Sequence, residues 1–171
     1  MSKRVLIIDT SVLCCWLKVP GKDTAGPDGD TWTYERSEQV LSQAIKDGAT
    51  LVLPLAALIE TGNHIAQCNG DRYLLAGQLS RLLTESVNGR NPWVPFSGQE
   101  ELWGREALLR LADSWPALAA GGTSIADATI KDVAEFYAET GLHVEIVTGD
   151  QGLRAYTPAA PVVRPRRRGG M

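Results

Sequence analysis

Four carboxylates stand where chemistry could use them: Asp9, Glu60, Asp127 and Asp150. Asp9 ends an apolar run, RVLII at 4–8, and precedes Thr10 and Ser11. Asp9 could simply cap the helix that follows, but Thr10 and Ser11 are capping types too and would leave it free to bind a ligand. Glu60 lies within LAALIETGNHIAQ at 55–67, a segment with no other acid and no lysine or arginine. A lone charge on a largely apolar helix is costly unless it is paired or meets a cation. Asp127 is the third residue after Ser124, a capping-box variant with an acid favoured by the helix dipole. It lies beside the face of Ile130 and Ala134, whereas Asp132, about 200° around from Ile130, faces solvent. Lys131, one turn on, could pair with Asp127. Asp150 sits in a Gly149–Gly152 turn and needs no function there.

Each acid has an ordinary explanation; their conjunction is harder to dismiss. Three of them fall at strand ends or on the helices leaving them, and the fourth on a helix able to pack alongside. Gathered together, the carboxylates would raise one another's pKa unless a cation neutralised them. Oxygen-only ligands suit Mg²⁺ or Mn²⁺. His64, one turn after Glu60, reads as a packing or surface histidine in preference to a proton carrier, since there is no HExxH pattern. Lys131 and Arg154 are weaker candidates for phosphate contact.

The elements that must position these residues alternate. Strands are predicted at 4–8, 50–53 and 143–148, with a further strand at 93–96 that Pro92 and Pro95 mark as an edge. Helices are predicted at 12–17, 34–47, 55–67, 71–86 and 124–139, and 100–120 reads as helical with a break at Pro116. Residues 19–30, rich in Gly, Pro and Asp, form a loop. This alternation implies an α/β fold with a mainly parallel central sheet, whose site lies at the carboxyl ends of its strands. One domain is expected over 1–160, followed by a basic, disordered tail at 161–171.

Composition narrows the class. At 171 residues, 44% hydrophobic and 22% charged, the chain is expected to be a soluble globular protein. Its three cysteines, Cys14, Cys15 and Cys68, fit neither a disulfide framework nor a zinc set and suggest buried thiols in a reducing cytoplasm. Lys3 and Arg4 precede an apolar run too short for a signal peptide, and no stretch reaches the ~18 apolar residues of a membrane span. Removing the tail's Arg164, Arg166, Arg167 and Arg168 from a net charge of −3 leaves −7. That tail either collects phosphates of a nucleic acid or merely solubilises the chain end.

Four segments, VLIIDTSVL, LVLPLAALIETGNHI, SIADATI and VEIVTGDQGL, resemble in order and spacing the motifs of PIN-domain nucleases, a family that includes VapC-type toxins. The resemblance spans nearly the whole chain. It implies a three-layer α/β/α PIN-like fold and an Mg²⁺- or Mn²⁺-dependent endoribonuclease. It makes Asp9, Glu60, Asp127 and Asp150 the catalytic acids, with Asp9, Asp127 and Asp150 holding the metal. Thr10, Ser11 and Thr148 fall where the family often places hydroxyls that orient the acids, and Asn63 where a polar residue is frequent. RNA, a cognate antitoxin and a second copy are the implied partners. The stretches 21–30 and 71–120 are larger than in compact members.

Other classes fit less well. A haloacid-dehalogenase-like phosphatase would carry a second Asp where Ser11 stands, and a receiver domain would need paired early acids. A dinucleotide-binding domain would show G-x-G-x-x-G after the first strand. The rival of a different class is a PIN-like scaffold that binds RNA or a protein partner without cutting.

Overall fold

The computed structural model describes residues 3–158, so the arginines at 164, 166, 167 and 168 lie outside the described residues, as does the rest of the predicted tail. Strands β1 (Arg4–Ile8), β2 (Thr50–Val52) and β3 (His143–Val147) form a wholly parallel sheet in the order β2-β1-β3. The helices are α1 (Thr10–Trp16), α2 (Tyr34–Lys46), α3 (Leu55–Gln67), α4 (Arg72–Val87), α5 (Arg105–Ala120), α6 (Ile125–Glu139) and the one-turn α7 (Gln151–Arg154). A 3₁₀ segment, Phe96–Trp103, leads into α5.

The apolar run of β1 is explained by its central place. Leu6 and Ile8 enter a core shared with α1–α4, while Val5 and Ile7 enter a second core shared with α6. All four are essentially inaccessible. β2 and β3 alternate in the same way: Leu51 and Val147 lie in the first core, Val52 and Ile146 in the second. Helices therefore cover both faces, the requirement for a central strand with no polar side.

Chain order makes the site's location predictable. From β1 the chain passes to β2 on one side, then returns through α3–α6 to β3 on the other. The crevice between β1 and β3 at their carboxyl ends is thus the topological switch point, where open parallel sheets bind ligands.

Two expectations are corrected. Residues 93–96 do not form a strand: Trp93 makes a single parallel bridge to Leu51, with Leu51 N–H donating to Pro92 O (2.8 Å) and Val94 N–H to Leu51 O (2.9 Å). Pro92 has no N–H to carry the ladder backward, and forward the next carbonyl, Leu53 O, accepts from Gln99 Nε2 instead (2.9 Å). Nor does Pro116 break its helix; α5 runs through it, and the interruption falls at Gly104 instead. α5 buries none of its residues. The carbonyl that Pro116 leaves unpaired belongs to exposed Ala112, where water can satisfy it.

Leu6, on the central strand, is fully buried in the larger core. Leu6→Ala should destabilise the fold by about 3 kcal/mol, read as a lower urea midpoint at unchanged m-value.

Candidate active site

The β1–β3 register pairs Ile8 with Val147, and Asp9 N–H donates to Val147 O at 3.1 Å. Asp9 and Thr148 therefore emerge side by side just beyond the ladder. Both are buried, Asp9 at 5% exposure and Thr148 at 2%. A carboxylate in such a place needs donors, and Asp9 has three. Ser11 Oγ (2.7 Å), Thr148 Oγ1 (2.8 Å) and Ser11 N (3.3 Å) all donate to Oδ2. Among the described residues no donor reaches Oδ1. Of the two capping arrangements the sequence allows, Asp9 itself caps α1, not Thr10 or Ser11. Their hydroxyls are turned to other work: Ser11 holds Asp9, and Thr10 Oγ1 donates to Glu60 Oε2 at 2.7 Å.

The same hydroxyls tie in the turn after β3. Gly149 N–H donates to Ser11 Oγ (2.9 Å), and Asp150 N–H to Thr148 Oγ1 (2.9 Å). Thr148 thus links Asp9 to the backbone of Asp150 through one oxygen. Asp150 caps α7 by accepting from Leu153 N–H through Oδ1 (2.9 Å) and is otherwise exposed. A cleft of about 280 Å³ opens above Asp9 and is walled by Glu60 from α3, Asp127 from α6, and His64. Asp150 lies outside the cleft lining, and Asn63 is exposed and outside it too. The cleft's far wall is Lys22, Thr24 and Ala25. Sequence reasoning missed these three, because a loop has no periodicity to announce where it folds back.

Asp127 N–H bonds to Ser124 Oγ at 3.0 Å, as a capping box requires. Partial burial raises the Asp127 pKa above the ordinary carboxylate range; the Ser124 hydroxyl opposes this, and the charges of Asp9 and Asp150 add to it. The charges of Asp9 and Asp150 thus reach Asp127. Lys131 does not relieve Asp127: its ammonium lies over the Tyr156 ring, 5.4 Å from the centroid. Arg154, considered for phosphate contact, is instead an ion-pair partner of Asp30. Asp132 is exposed, as expected.

The donor set can be tested against a hard cation. Asp9, Glu60 and Asp150 each use one carboxylate oxygen in a local hydrogen bond and, among the described residues, keep the other. Oxygen donors of this kind suit Mg²⁺ or Mn²⁺. Among the described residues no three His, Cys, Asp or Glu side chains already stand together as a ready-made metal cluster. A thiol mechanism has less support. Cys14 lines the cleft, but burial pushes its pKa up to about 11, leaving a thiol at neutral pH. Cys15 and Cys68 are likewise buried and free. Compared with known proteins, the chain matches no family model, no curated protein and no solved structure.

Asp127 offers a test of this electrostatic picture. Its folded pKa is raised, so its ionisation penalises the fold: the penalty is absent below the unfolded-state pKa and grows as pH rises through the folded one. Asp127→Asn should therefore stabilise the metal-free protein at pH 7, with the gain shrinking toward pH 4. Urea unfolding in chelator across that range measures it.

Proposed function

We propose that this chain is a divalent-metal-dependent endoribonuclease with a PIN-like fold. The reading is carried by one observation: Asp9, Glu60 and Asp127, from three different elements, share one cleft at the switch point of a parallel sheet. Acids separated by more than fifty residues have no reason to share a cleft for capping alone. The helices on both sheet faces are compatible with the three-layer arrangement that the motif resemblance implies.

Under this reading Asp9, Asp127 and Asp150 would hold Mg²⁺ or Mn²⁺, which supplies Lewis-acid polarisation of the scissile phosphate and a lowered pKa for the attacking water. The chain's own residues supply orientation. Ser11 and Thr148 fix the Asp9 carboxylate in one rotamer, so that its second oxygen is presented to the cleft without reorganisation. Thr10 holds Glu60, which would complete the metal shell or orient the water. Hydrolysis forms a bond from water oxygen to phosphorus and breaks the bond to O3′, leaving a 5′-phosphate and a 3′-hydroxyl. A cytoplasmic setting, a cognate antitoxin and a homodimer belong to the same proposal. No helix among the described residues is long and apolar enough to cross a membrane.

A second reading, a scaffold that binds RNA or a protein without cutting it, has one observation in its favour: the absence among the described residues of a preformed metal-ligand cluster. The two readings separate on a mixed-sequence RNA pool. Asp9→Asn keeps shape and removes charge, and it should lower Mg²⁺-dependent cleavage by about three orders of magnitude while RNA binding persists. Wild-type protein that binds the pool and leaves it intact with either Mg²⁺ or Mn²⁺ would establish the scaffold.

A further inference from the structure

The loop between α1 and α2 is built to hold a position. Ala25 and Trp32 form an antiparallel bridge with N–H···O bonds of 3.1 and 2.6 Å in the two directions. Gly26, at φ +92°, packs against the turn after β3 so closely that a Cβ on Gly149 would stand 2.9 Å from Ala25 Cβ and 3.0 Å from Gly26 N. Asp30 pairs with Arg36 at the start of α2 (2.7 Å) and with Arg154 in α7, while the Arg36 guanidinium lies 4.3 Å from the Trp32 ring centroid. One carboxylate therefore ties the loop to two helices, one of them the helix capped by Asp150. At the loop's beginning, Lys22 N–H donates to Val19 O at 2.9 Å, which fixes the backbone where the lysine leaves it.

The side chain so placed is the one lysine or arginine lining the cleft among the described residues. It shares that lining with Asp9, Glu60 and Asp127, yet its ammonium makes no ion pair among the described residues. An exposed lysine held beside three acids without pairing to any of them is available to a ligand from outside. A phosphodiester entering this cleft would meet carboxylate charge first, so a polyanion needs a compensating cation on the approach side.

We infer that Lys22 is a substrate-binding residue that grips a phosphate of the RNA strand at the cleft mouth, and that the 19–33 loop serves to hold it there. The inference rests on the ribonuclease reading for its substrate, but the contact can be measured without cleavage. In the full chain, Lys22→Met should raise KM for a fluorescein-labelled single-stranded RNA about tenfold with kcat within about threefold, the scale of one lost charge-assisted contact. Lys22→Arg should restore most of the loss. In an Asp9→Asn background with chelator present, the same Lys22→Met change should weaken RNA binding and lessen the slope of log K against log salt by about 0.7, as for one phosphate contact.

Unchanged binding and unchanged salt slope, in a Lys22→Met protein with an unaltered thermal melt, would overturn the contact. A loss confined to kcat, accompanied by a shifted Mg²⁺ requirement, would overturn it too and make Lys22 a counter-ion of the acids. Asp30→Asn, which weakens both arginine pairs outside the cleft, should raise KM in the same direction; no change there would overturn the loop's part in the proposal. Should Asp9→Asn cleave as fast as wild type, the nuclease reading fails, and the binding arm still decides Lys22.

Discussion

The whole arrangement depends on a charged group placed where charge is least welcome. Asp9 is almost fully buried at the end of the central strand, and an ionised carboxylate there is tolerable only if donors surround it. Satisfying it dictates the neighbourhood. A hydroxyl is needed two residues along the chain, and Ser11 provides it. Another is needed on the adjacent strand at the next register position, and Thr148 provides that. Each of those hydroxyls then accepts a backbone N–H, from Gly149 and Asp150, so the turn beyond β3 is organised by the same requirement. The order β2-β1-β3 puts this network in the sheet's crevice and not on its flank.

The acids beyond Asp9 have another consequence. Asp127 and Glu60 add negative charge to a cleft that its local hydrogen bonds do not neutralise. A protein selected for stability alone would not half-bury a carboxylate beside others, where burial first and the charges of Asp9 and Asp150 next raise its pKa, as happens at Asp127. Perturbed titration in a cleft is the physical mark of a site kept for function, although structural networks can produce it too. Here no ion pair absorbs the charge: among the described residues the ion pairs join Arg4 to Glu145 and Asp30 to two arginines, all outside the acidic wall.

What the sequence made legible follows from how local each cause is. β1 could be read from RVLII because burial on both faces leaves no alternation, and α3 because its apolar positions repeat at helical spacing. Residues 93–96 look like a strand because bulky apolar residues suit one, while Pro92 behind and the Gln99 amide on Leu53 O ahead decide how far the ladder extends. Pro116 was misread because a helix's tolerance of proline depends on whether the orphaned carbonyl is wet, which is a property of the folded surface. The acids were found one by one, yet the wall formed by Lys22, Thr24 and Ala25 was not. Its position comes from Asp30 reaching Arg154, a pairing across more than a hundred residues that no window of sequence contains.

The sequence also poses a false choice that the geometry removes. Asp9 has to be either a helix cap or a ligand, and Asp150 either a turn residue or a ligand, as if one use excluded the other. A carboxylate has two oxygens, and capping needs one. Asp9 caps through Oδ2 and Asp150 through Oδ1, while Glu60 accepts from Thr10 through Oε2, so each structural bond immobilises the side chain and leaves a second oxygen over. The structural role thereby prepares the chemical one. Rotamer freedom that binding would otherwise have to remove is already gone in the folded chain, and the capping bonds that make each acid look ordinary are what aim it.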